Sequence, residues 1–180
     1  MPVYVSMLRG INLGGKNRIS MPDLRAVYER HGHDHVTTYV QSGNVVSRTS
    51  ARSASAVERA ITSAIAAELG LDITVLVRTP AHLTKVLDAN PFVRAGIDPK
   101  VLHVTFLAAA PEHRAVSDLD GAAFAPDEFR VHGTEVYVKC PNGYGRTKIN
   151  NTWFERKLAV AATTRNWKTV TQLAELANLS

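Results

Sequence analysis

Two β-rich runs, residues 36–41 and 44–49, stand on either side of Ser42-Gly43, and the pair lies between two helical patterns. Glycine at the second turn position supplies the positive φ of a tight connection, so this stretch reads as a hairpin. Before it, Ser20 is placed to cap a helix, Pro22 suits its first turn and Asp23 faces its positive end. Leu24, Val27 and Tyr28 keep helical spacing, and Gly32 stops the helix. After the hairpin, Val57, Ile61, Ile65 and Leu69 mark one face of a helix over 54–69, closed by Gly70. Apolar runs at 3–8 and 73–77 bracket the whole. The order is β-α-β-β-α-β, which is the ferredoxin-like unit.

The second half repeats the theme without repeating residues. Thr79-Pro80 opens a short helix reaching about Ala89, and the segment 90–100, with Pro91, Gly96 and Pro99, reads as a linker. A strand over 101–107, a short helix from Pro111, a hairpin of 128–131 and 135–139 about His132-Gly133, and two closing helices near 151–162 and 167–178 follow. The expected fold is α+β: two ferredoxin-like halves with antiparallel or mixed sheets and extra C-terminal helices. The expected division is 1–90, including the linking helix, and 91–180. A chain of 180 residues buries roughly 70% of its unfolded surface on folding and needs no covalent staple.

The loop after the first strand, Arg9-Gly10-Ile11-Asn12-Leu13-Gly14-Gly15-Lys16-Asn17, comes within one residue of the phosphate-binding pattern G-x-x-x-x-G-K-[ST]. A working loop of that kind runs straight into its helix, placing Lys and a hydroxyl in the first turn. Here the helix signal starts about five residues later. Asn17 replaces the hydroxyl, and an amide oxygen is a weaker magnesium ligand. The match is therefore read as chance. Glycines at 10, 14 and 15 still let backbone N–H groups approach an anion, and Arg9, Lys16 and Arg18 add charge.

Net charge is +5 and it is uneven. Residues 1–20 hold Arg9, Lys16 and Arg18 and no acid. Residues 141–180 hold Arg146, Lys148, Arg156, Lys157, Arg165 and Lys168 against Glu155 and Glu175. The middle is slightly acidic. Such a bias favours phosphate-containing partners. One cysteine, Cys140, precludes an internal disulfide. With no secretion-signal pattern and no apolar run of bilayer length, the expectation is a cytoplasmic protein without a membrane partner.

Four stretches, 8–24 (LRGINLGGKNRISMPDL), 38–46 (TYVQSGNVV), 142–148 (NGYGRTK) and 163–170 (TTRNWKTV), together resemble the bacterial family known as domain of unknown function 1697. The resemblance runs in order over essentially the whole chain. It implies a two-part α+β protein with ferredoxin-like subdomains, and it implies no activity. The family pattern falls here on Arg9, Gly10, Asn12, Gly15, Lys16, Gln41, Ser42, Gly43, Asn44, Lys148, Arg165, Asn166 and Trp167. Thr147 stands where the family usually has serine, which keeps a hydroxyl, and Cys140 matches no motif position.

Three groups are candidates for ligand binding. Arg9, Asn12, Lys16, Gln41, Ser42 and Asn44 combine cations with side chains that orient polar groups. Tyr144, Arg146, Thr147 and Lys148 precede a helix start, with Lys148 the most attractive because no acid lies within six residues. Arg165 lies beside hydroxyls and Trp167, a pairing able to stack on a base or sugar. His31, His33 and His35 straddle a helix end and read as a solvated turn, so no metal is expected. No cofactor motif is present, and no catalytic residue is identified.

The function expected is binding of an anionic ligand through these loops: a phosphorylated metabolite, a nucleotide or single-stranded nucleic acid. One alternative is an enzyme acting on a phosphorylated or carboxylated small molecule, with Lys148 or Lys16 as electrophile or base. The other is an interaction protein whose polar loops are architecture. Oligomeric state is not readable from the sequence.

Overall fold

The computed structural model describes residues 1–180. The chain divides into two compact units, one formed by residues 1–84 with 172–180, the other by residues 85–171.

The first unit runs β1 (Val3–Leu8), α1 (Met21–Arg30), β2 (His33–Tyr39), β3 (Asn44–Thr49), α2 (Ala54–Leu69) and β4 (Val75–Arg78). Its sheet has the order β2-β3-β1-β4 and is antiparallel throughout. This is the expected ferredoxin-like arrangement. Each helix crosses from one strand to another that is two places away, so the hairpin strand β3 enters between β1 and β2. One face of the sheet, with Tyr4, Leu8, Val45, Val75 and Val77, packs on Leu24, Val27, Tyr28, Val57, Ile61 and Ile65 of the helices. Full burial of such an aliphatic side chain contributes about 1.5–3 kcal/mol. Ser20 accepts a hydrogen bond from the Asp23 N–H, and Ser53 caps α2 in the same way.

A small polar group lies inside this core. His33 Nδ1 is 2.9 Å from the Ser47 hydroxyl, and the edge of Tyr28 meets the His33 ring at 5.0 Å. Burial, aided by the nearby His31, holds the His33 imidazole below its usual range. The three spaced histidines go separate ways: His31 reaches Glu68 at 2.7 Å, His33 is buried, and His35 sits exposed at a bulge in β2 with φ 50°.

The second unit begins within α3 (Pro80–Asp88) and continues with α4 (Pro91–Arg94), β5 (Leu102–Leu107), α5 (His113–Ser117), β6 (Glu128–His132), β7 (Glu135–Lys139), α6 (Asn151–Leu158) and β8 (Ala162–Asn166). Helix α7 (Trp167–Leu179) closes the chain, and its residues from 172 onward group with the first unit. The sheet order β6-β7-β5-β8 repeats that of the first unit. Three things differ from the sequence reading: the expected linker 90–100 holds α4 and a 3-10 turn at Pro99–Val101, α6 stops at Leu158 rather than near 162, and residues 162–166 form β8. The segment Ala-Thr-Thr-Arg-Asn carries no apolar alternation, yet it pairs with β5 from Ala162↔Leu107 to Asn166↔His103. An edge strand has a neighbour on one side alone, and here threonines supply the β-branched fit without hydrophobicity. Helix α6 ends at Leu158, and Ala159 takes a left-handed turn, φ 56°, to make room for it.

An aromatic cluster stiffens this unit. Trp153 and Phe154 of α6 meet at 5.0 Å, Phe129 lies 5.4 Å from Phe154, and Phe124 meets Trp153 edge-on at 5.1 Å. Phe124 belongs to the loop before β6, so the cluster anchors that loop to α6.

Candidate anion-binding cavity

The loop from Cys140 to Asn150 is held by alternate residues. Thr147 and Ile149 are buried, whereas Arg146 and Lys148 are exposed. The Thr147 hydroxyl donates to Asp127 Oδ2 at 2.7 Å and accepts from the Ile149 N–H at 3.2 Å. Tyr144 stacks on His103 with ring centres 4.8 Å apart, and its oxygen accepts from the Asn151 N–H at 3.2 Å. With three residues fixed inward, the two cations between them are turned outward.

They are turned toward a cavity of about 310 Å³. Its walls are the 123–127 loop on one side and Asn142, Gly143, Arg146 and Lys148 on the other. The Ala125–Pro126 peptide in the first wall is cis. Neither the Arg146 guanidinium nor the Lys148 ammonium makes a hydrogen bond or ion pair within the protein; the Arg146 backbone N–H alone donates, to Gly143 O at 3.2 Å. A planar guanidinium and an ammonium beside one hollow can clamp a phosphate or carboxylate, the first by two parallel bonds and the second as a point charge. Asp127 lines the same cavity. Nothing in the local sequence pairs it with the 142–148 loop. The sequence offers only Pro126-Asp127, a turn-forming pair that marks a loop but not its destination.

Cys140 lies at the base of this loop, fully buried. Burial pushes its thiol up to about 11, against the opposing influence of the Thr147 hydroxyl. At pH 8 such a thiol is almost entirely protonated. Cys140 is therefore expected to resist Ellman's reagent in the folded protein and to release one equivalent once guanidinium unfolds it. Rapid labelling of the native state would contradict this placement.

The first unit has its own hollow, about 380 Å³ and more open, lined by Asn12, Gly15, Arg18, Ile19, Ser20 and Gln41. Here Asn12 and Gln41, expected to act together, do meet. Asn12 acts as a clip: its amide nitrogen donates to Gln41 O at 2.9 Å and Ile19 O at 3.0 Å, and its oxygen accepts from Ile19 N–H at 2.9 Å. Asn44 is buried and donates to Tyr39 O and the Ser42 hydroxyl at 3.0 and 2.9 Å. Lys16 is exposed at the loop tip, and Arg9 is half-buried just after β1. Arg165 lies buried on β8, where its guanidinium donates to the Thr163 hydroxyl at 2.7 Å and Thr164 O at 3.0 Å. Burial lowers its pKa to about 10, so it stays a cation at neutral pH.

A family model described as "Protein of unknown function (DUF1697)" matches residues 1–137. The match covers residues 1–84 of the first unit and the second unit into β7, and the loop with Arg146 and Lys148 follows it. No curated protein matches the chain. Among solved structures, the conserved bacterial protein SP0830 from Streptococcus pneumoniae is similar, with 19% identity, 98% of each chain covered and a TM-score of 0.73. That likeness shows a shared fold. With more than half its length matched, and with the order of elements in both units as the resemblance implied, the chain belongs to the DUF1697 family of proteins of unknown function.

Proposed function

We propose that this protein binds a phosphorylated or carboxylated small molecule in the cavity of its second unit. The observation that carries the reading is the pair Arg146 and Lys148, which line a hollow while their charged groups make no bond within the protein. Two cations side by side repel each other, and a divalent anion between them relieves that repulsion. The volume is at the lower end for small-molecule sites. A small ligand is favoured over single-stranded nucleic acid because one face of Tyr144 is already taken by His103 and its oxygen by Asn151, so it is not a free stacking platform. The first-unit residues Arg9, Asn12, Lys16, Gln41, Ser42 and Asn44 would then serve chiefly to shape the glycine loop and hairpin turn.

The test is amide chemical-shift mapping with pyrophosphate in low-salt buffer. Saturable shifts centred on residues 123–127 and 142–148 are expected, weakening as salt rises. Shifts confined to 9–20 and 39–44, or none at all, would reject the cavity as the site.

A further inference from the structure

The cavity carries charges of both signs that do not meet. Asp127 lines it together with Arg146 and Lys148, yet forms an ion pair with neither. Its carboxylate has one protein partner, the neutral hydroxyl of Thr147 at Oδ2. The adjacent acid behaves differently. Glu128 is paired with Lys139 and, at 3.3 Å, with Arg130, and the Lys139 ammonium above all holds its carboxyl below the usual range. Two neighbouring acids thus have distinct fates. One is neutralised by the fold, and the other is left in the lining of a cavity that also holds two cations.

A carboxylate in a site built for a plain anion is a defect, because it repels the ligand and weakens the field of the cations. It becomes an asset when the ligand also carries a positive group. Building on the anion-binding reading above, we infer that the ligand is dipolar, a phosphate ester bearing a protonated amine. Its phosphate sits on Arg146 and Lys148, and its ammonium donates to the open oxygen of Asp127. Thr147 lies between the two cations in sequence and holds Asp127 by its hydroxyl, so one residue ties the acid to the loop that carries the cations. The cavity of about 310 Å³ is at the lower end for small-molecule sites, which suits a phosphorylated amino alcohol rather than a dinucleotide.

The test compares O-phosphoethanolamine with n-propyl phosphate, which has the same shape with a methyl in place of the ammonium. Both are titrated into the full-length protein and into Asp127→Asn, following amide shifts. Asparagine keeps an oxygen that can accept from Thr147, and unchanged shifts of β6 and β7 would verify its fold. The native protein is expected to prefer phosphoethanolamine by about fivefold, the range of a partly exposed ion pair. In Asp127→Asn the preference is expected to vanish, with propyl phosphate binding as tightly as before or tighter. Equal affinities in the native protein, or a parallel gain for both compounds in the variant, would overturn the dipolar ligand while leaving an anion site. Absence of binding by either compound would overturn both.

Discussion

Alanine at Gly43 is expected to cost about 3 kcal/mol of stability and to lower the melting temperature by about 10 °C. Gly43 sits in the hairpin turn at φ 79°, and its carbonyl accepts from the Leu8 N–H at 2.8 Å. A Cβ there would lie 2.7 Å from Ile11 Cδ1 and 2.8 Å from Leu8 Cβ. The isoleucine tip can move, but the leucine Cβ is fixed to the central strand of the sheet. Two costs therefore add: about 1–2 kcal/mol for a side chain in the left-handed region, and about 1–3 kcal/mol for overpacking. Gly14→Ala separates them. Gly14 has φ 55° with nothing within 4 Å of an added Cβ, so it should carry the dihedral cost alone. Thermal unfolding of the two variants tests the difference. Equal losses would show that the turn does not press on β1 as described.

Asn12→Ala is the second large effect, about 2–4 kcal/mol. Three hydrogen bonds to backbone disappear, each contributing about 0.5–1.5 kcal/mol, and alanine inherits a φ of 55° that asparagine tolerates better. The loss is also local in kind. Asn12 joins the glycine loop to Gln41 of the hairpin turn and to Ile19 at the entry to α1. Amide exchange of residues 10–20 should quicken beyond what the global loss explains. Asn12→Asp keeps the acceptor and loses both donors, so it should fall between the native protein and alanine. A variant as stable as the native protein would mean the clip does not hold the loop.

Much of this architecture was legible in the sequence, because the first unit follows local rules closely. Ser20, Pro22 and Gly70 bound their helices where capping chemistry puts them, and the α2 face with Val57, Ile61 and Ile65 is buried as its spacing requires. The hairpin forms where expected, but its first strand ends at Tyr39, two residues short of the reading, and Tyr39 pairs with Asn44, so the connection is the four residues 40–43, with Val40 (φ 50°) as well as Gly43 (φ 79°) in the left-handed region. Strand β8 was not legible. Thr163, Thr164 and Arg165 have no amphipathic pattern, and their strand conformation comes from pairing with β5, some sixty residues earlier. The candidate cavity divides in the same way. Arg146 and Lys148 stand out in the sequence as cations without nearby acids. Asp127 does not, because the hydrogen bond from Thr147 that brings it to the cavity wall spans twenty residues and an entire hairpin. Local chemistry reports which residues are able to bind; only tertiary pairing reports which of them share a wall.

The most direct measurement is calorimetric titration of pyrophosphate into the native protein, into Arg146→Ala/Lys148→Ala, and into Lys100→Ala/Arg114→Ala. The last pair removes the same net charge from exposed positions of the same unit that do not line the cavity. If the cavity is the anion site, the first double variant loses about a hundredfold in affinity, as expected for two charged hydrogen bonds, and the control stays within about twofold of the native protein. Equal weakening in both would mean that net charge alone attracts the anion. Undiminished binding in Arg146→Ala/Lys148→Ala would contradict the account outright.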